Sequence, residues 1–217
     1  MATATQLRAD IPTPPRRMRD LPIDERGYPV PWFVQWIKGK PEFRIMDADK
    51  FVRALREKRC WICGGPRGRE MVFTIGPMCA VNRINAEPPS HIDCARYAAM
   101  ACPFLTKPQM VRRENDLPAE RTMHESSIDR NPGVACLWFC STFSLVPIAT
   151  GTLFRLGTPS KTEWYCRGRV ATRDEVMQSM STGLPLLERE CERENDPDAA
   201  RQRLNYAWAK AMRLLPA

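Results

Sequence analysis

Cys60-Trp61-Ile62-Cys63-Gly64-Gly65 and, further along, Pro88-Pro89-Ser90-His91-Ile92-Asp93-Cys94 are the two stretches on which the fold turns. In the first, a tight turn aims two thiolates at one point, and glycine follows where the backbone needs angles that side chains resist. In the second, the prolines stop the chain and Ser90 is placed to cap a helix. His91 and Cys94, at i and i+3, then share one face of its first turn. The positive end of that helix also favours a negative thiolate. Together Cys60, Cys63, His91 and Cys94 form a two-plus-two donor set suited to four-coordinate Zn²⁺. The competing readings are buried thiols with an unrelated histidine, a ligand set in which Cys79 or Cys102 replaces His91, and an iron–sulfur cluster. Cys102 fails a geometric test. On one helix it lies about 12 Å along the axis from Cys94, too far to share an ion.

Between the two stretches, Met71 to Ile75 and Met78 to Asn82 flank Gly76-Pro77, which predicts a hairpin. Turn, hairpin, and helix with a second ligand pair is the order of a treble-clef zinc site, and the segment resembles that class. HNH-type nucleases share the order, and they place a catalytic histidine on the hairpin. The corresponding run here, Met71-Val72-Phe73-Thr74-Ile75-Gly76-Pro77-Met78-Cys79-Ala80-Val81-Asn82, has none. The resemblance to them stops at the scaffold. Only His124, beside Glu125 in a polar stretch, remains for acid–base chemistry, and a solvated pair is the simpler reading. The deaminase pattern, a glycine-rich phosphate loop and a G-x-S-x-G elbow are all missing.

The rest of the 217-residue, 24.9 kDa chain is ordinary globular text, 43% hydrophobic and 27% charged. No apolar run approaches the roughly 20 residues of a membrane span, which excludes a membrane partner. The N-terminus has no apolar signal region, so a cytoplasmic location is expected, with nine cysteines kept reduced. The net charge is +8, and all of the excess lies in the first half. Residues 1 to 59 carry 13 Lys/Arg against 8 Asp/Glu, residues 60 to 115 carry 7 against 4, and residues 116 to 217 carry 13 against 13. Arg56, Lys58 and Arg59 before the turn, with Arg67, Arg69 and Arg83 beyond it, could form a basic rim for DNA or RNA. Trp61 and Tyr97 would then offer stacking faces. The plainer reading has Trp61 packed beneath the turn and the arginines solvated.

Four segments are expected. Residues 1–31 form a proline- and arginine-rich arm that drapes over the domain or binds a partner. Residues 32–105 hold a first hairpin, a helix capped by Asp47, and the metal centre. Residues 106–133 read as a linker or long loop. Residues 134–217 alternate short β-like runs with turns and end in two helices, opened by the Thr172-Arg173-Asp174-Glu175 capping box and by Asp196-Pro197. Leu204, Ala207, Trp208, Ala211 and Leu215 share a packing face on the last helix. Cys136 and Cys140 read as core thiols. The fold class is α+β: a treble-clef-like zinc centre with small antiparallel hairpins and a C-terminal sheet-plus-helices region.

The runs Gly76-Pro77-Met78-Cys79-Ala80-Val81-Asn82-Arg83, Glu87-Pro88-Pro89-Ser90-His91 and Cys102-Pro103-Phe104-Leu105 resemble an uncharacterised protein family of phages and high-GC bacteria. That likeness implies a phage or mobile-element origin and brings no activity with it. The functional expectation is a zinc-binding, non-catalytic module contacting nucleic acid or a protein partner. A metal-dependent enzyme acting on nucleic acid and a phage structural protein are the alternatives.

Overall fold

A computed structural model describes residues 6–107, 131–149 and 151–217, and it is mixed α+β with small antiparallel sheets. The expected 106–133 loop, with His124, lies mostly outside the described residues. β1 (Val34–Ile37) and β2 (Lys40–Met46) form the first hairpin. Its two-residue turn places both Lys38 and Gly39 at positive φ, the geometry that matches strand twist. α1 (Ala48–Arg56) follows, with the Asp47 carboxylate accepting from the Lys50 N–H at 3.0 Å.

The second hairpin does not form. β3 (Met71–Ile75) is a strand, but Pro77 to Asn82 is a short helix, α2. Gly76 takes the N-cap position and Pro77 the first helical one, where a missing N–H costs nothing. β4 (Ile84–Asn85) and α3 (Ile92–Ala101) come next, then the single turn α4 (Pro103–Thr106). Ser90 is not the cap of α3. His91 holds that position, while Ser90 exchanges two backbone hydrogen bonds with Val72, at 2.8 and 3.1 Å.

The C-terminal runs contribute to two sheets. β5 (Val134–Cys140) pairs with β3 and β8 (Lys161–Cys166), and β9 (Arg169–Val170) extends the order to β3-β5-β8-β9. β6 (Phe143–Ile148), β7 (Gly151–Leu156) and β4 make the other, in the order β4-β7-β6. Both sheets therefore draw strands from either side of the 108–130 stretch. α5 (Arg173–Cys191, 19 residues) carries the complete capping box and α6 (Pro197–Met212) the Asp196 cap, as expected.

β5 sits at the centre, and every one of its residues is buried. Successive strand side chains point to opposite faces. Cys136, Trp138 and Cys140 accordingly join a core with Phe73, Phe154, Met180 and Leu215, while Leu137 and Phe139 pack with Val72, Ala95 and Ala99 toward α3. A continuous apolar run in an antiparallel strand follows from helices covering one face and α3 the other. Leu204, Ala207 and Trp208 pack on the first core beside Ala211, as their shared face predicts.

α3 is tied to the sheet by charge as well. Arg96 forks onto Glu163 of β8 at 2.6 and 2.8 Å, and Lys161 adds a contact at 2.5 Å. Arg96 leads the cations that hold the Glu163 carboxyl down at about 2 from an ordinary 4.5. A folded-state value below the unfolded one stabilises above pH 4.5 and is lost as pH falls toward 2. With Arg96 partly exposed, solvent screening leaves roughly 1 kcal/mol. Acid melts should show it: the wild type loses that much more than Glu163→Gln between pH 4.5 and 2, and parallel curves would refute it.

Candidate metal centre

The turn that carries the first ligand pair is built by its own backbone. Cys60 N–H donates to Gly65 O at 2.8 Å and Gly64 N–H to Cys60 O at 2.9 Å, with Arg59 and Pro66 bridged just outside. Gly64 has φ +73, and a Cβ there would stand 2.6 Å from the Trp32 ring. Both conformation and close approach require glycine.

Below the turn lies an aromatic cluster that anchors it. Trp61 is stacked on Phe33 with centroids 4.9 Å apart and meets Trp32 and Phe51 edge-on. Trp61 is 2% exposed and Tyr97 5%, so neither offers a stacking face; Trp61 packs, as the plainer reading has it, and Tyr97 is buried too. The backbone N–H of Trp61 donates to Pro89 O at 3.3 Å, so the proline segment hangs between the turn and β3 and delivers His91 to the thiols. The arm closes the other side. Met18, from a 3-10 turn at Arg16–Met18, is buried with Cys60, Ile62, Cys94 and Tyr97.

The four donor atoms of Cys60, Cys63, His91 and Cys94 lie within 4.8 Å of one another. His91 Nδ1 stands 3.4 Å from Cys63 Sγ and 3.8 Å from Cys94 Sγ. Tetrahedral zinc with bonds of about 2.3 Å to sulfur and about 2.0 Å to nitrogen has ligand–ligand edges of roughly 3.5–3.8 Å. Both of these nitrogen–sulfur distances match such edges, and the whole set is only slightly wider. His91 Nε2 is 2.9 Å from Pro66 O, so it serves as the donor and leaves Nδ1 free to ligate, an outer contact that fixes both tautomer and ring orientation. The His91 backbone N–H also points at Cys60 Sγ, at 3.3 Å.

The electrostatics favour a cation. Hydrogen bonds from Cys63 and Cys94 pull the Cys60 thiol far below its usual range, and facing Cys60 and Cys63 pushes Cys94 up. Hydrogen bonding to Cys60 and Cys63 raises His91 to about 10. Crowded thiols and a proton-hungry imidazole are what a divalent ion would relieve, since it replaces the protons that the group otherwise shares.

Cys79 and Cys102, the alternative ligands, lie outside this cluster. Cys79 sits in α2 and packs on the main core, and burial pushes its thiol up to about 11. Cys102 ends α3, where burial raises it too. Cys136 and Cys140 are buried core residues.

Of the rim residues, Arg56, Lys58 and Arg69 are exposed. Arg56 and Arg59 share Glu57 with Arg53, which holds that carboxyl down at about 2, led by Arg59. Arg67 is half-buried, and its Nε finds no hydrogen-bond partner among the described residues. An open cleft of about 530 Å³ borders His91, lined among others by Arg17, Arg69, Asp93 and Arg96. Arg17 faces Asp93 there at 3.5 Å. Arg83 belongs to another place, closing α2 with its guanidinium 5.7 Å above the Trp138 ring.

Sequence reasoning did not find the Pro66 carbonyl as partner of His91, because a backbone acceptor leaves no mark in residue type. It did not find the Phe33–Trp61 stack either, although Trp32-Phe33 ahead of a cysteine turn was a usable signal. Among the described residues no helix is long and apolar enough to cross a membrane. The chain matches no protein-family model, no curated protein and no solved structure.

Proposed function

We propose that the chain binds one Zn²⁺ through Cys60, Cys63, His91 and Cys94 as a structural ion clasping the cysteine turn to the start of α3, the two ligand-bearing ends of a treble-clef order without its central hairpin, and that it works as a non-catalytic interaction module for nucleic acid or a protein partner. The observation that carries the metal assignment is the convergence of four donor atoms within 4.8 Å. Three thiolates and an imidazole supply all four positions of a tetrahedral ion, whereas a catalytic zinc keeps one for water or substrate. Cys60 and Cys94 are fully buried and His91 is 8% exposed, which suits a staple more than a reaction centre. Bound there, the ion would join the turn to the start of α3, on which Met18 of the arm packs, and contribute folding energy directly. The exposed Arg56, Lys58 and Arg69 beside it support a contact role.

Cobalt substitution tests this reading. Titrating Co²⁺ into metal-free protein should give intense visible bands of a tetrahedral, thiolate-bound ion, saturating at one equivalent and weakened in Cys63→Ser. A pale octahedral spectrum would overturn it. Because the ligands must shed protons, the bands should fade as pH falls.

A further inference from the structure

Three cations that have no acidic partner among the described residues lie on or beside α6, next to an exposed ring. On α6, Tyr206, Lys210 and Arg213 follow at i, i+4 and i+7 and so share one side of the helix. All three are exposed, Tyr206 at 64%. Lys210 Nζ stands 4.2 Å from the Tyr206 ring centroid. α2 packs against α6 and ends at Arg83, whose left-handed backbone presents the guanidinium over Trp138. Lys210 first, with Arg213 and Arg83 adding to it, holds the Tyr206 phenol below its usual range. Among the described residues none of the three has an ion-pair partner. Earlier on α6, by contrast, Arg201 is bound to Glu192 and Asp198, and Arg203 to Glu194.

We propose that Tyr206 with Lys210, Arg213 and Arg83 is a binding platform for a single-stranded polynucleotide, a base stacking on the phenol ring while the cations meet the flanking phosphates. An exposed ring has a face to offer any base, and cations without carboxylate partners are free to release counterions from phosphate. Lys210 and Arg213 also offset the negative end of α6. That role requires neither an exposed aromatic ring beside them nor an arginine from a second helix. The proposal deepens the interaction-module half of the reading above and does not depend on the zinc.

The test is fluorescence anisotropy of the full chain with a 15-mer of oligo(dT), a 15-mer of oligo(U) and a matched duplex at two salt concentrations. The first two distinguish DNA from RNA. Either single strand should bind better than the duplex. Lys210→Glu/Arg213→Glu should weaken binding at least about tenfold and flatten the salt dependence by roughly 1.4 in log–log slope. Tyr206→Ala should cost about tenfold and Tyr206→Phe little, since stacking survives. All these positions are exposed, and unchanged melting confirms the fold of each variant. Arg56→Ala/Arg69→Ala, at the rim beside the metal centre, should weaken binding less than the α6 pair does. If that pair loses binding while the α6 variants keep it, the platform is wrong and the interaction module stands. Preference for duplex, a silent Tyr206→Ala, or equal binding of polyglutamate would also overturn the platform. So would no binding by the wild type, with the zinc judged separately by the cobalt spectrum.

Discussion

Removing the metal with a chelator is expected to lower the melting temperature by roughly 10–20 °C, and Cys94→Ser should do the same. Structural zinc is worth about 10–16 kcal/mol in peptides that have no other core. Here the core around β5 stands on its own side chains, so only the ordering of the arm, the turn and the start of α3 depends on the ion. About 5 kcal/mol is the share assigned to it, and a chain of this length shifts by about 2–4 °C per kcal/mol. Cys94 is fully buried, and a serine there leaves a polar hydroxyl facing two thiols. The informative comparison is the combination. Chelator and Cys94→Ser remove the same interaction, so their effects should not add. Calorimetry of both proteins with and without chelator checks this. Additive losses, or a chelator without effect on the wild type, would count against a structural ion.

Trp138→Ala should destabilise by about 3–5 kcal/mol while leaving metal content unchanged. Trp138 is fully buried on the central strand, and its indole N–H donates to Gly157 O at 3.0 Å. Truncation opens a large cavity between the sheets and the C-terminal helices and leaves that carbonyl without its donor. It also removes the ring beneath Arg83. The urea midpoint should fall with little change in slope. A loss under 1 kcal/mol would mean that the two sheets are not joined through this residue.

These two sites also show what the sequence could and could not reveal. The donor set was legible because ligation demands particular atoms at particular spacings, and Cys60, Cys63, His91 and Cys94 converge as their spacing predicts. Helix starts were legible for the same local reason: Asp47, Thr172 and Asp196 each cap the helix their position announces. Pairing was not. Met71 to Ile75 has the composition of a strand, but nothing in it says that its partner is Val134 to Cys140 and not the segment just after Gly76-Pro77. A local hairpin was the default, and Gly-Pro proved a helix start instead. The division of the later β-runs between two sheets is likewise decided by distant contacts, as is the packing of α2, which Arg83 ends, on α6. The apolar continuity of β5 was visible, yet its meaning, burial on both faces, needed α3 and the C-terminal helices in place.

Elemental analysis of freshly purified protein tests the centre most directly. One zinc per chain is expected in the wild type and in Cys136→Ser, and none in Cys60→Ser. A wild type that melts cooperatively with no bound metal, or a Cys60→Ser protein that keeps a full equivalent, would contradict the assignment.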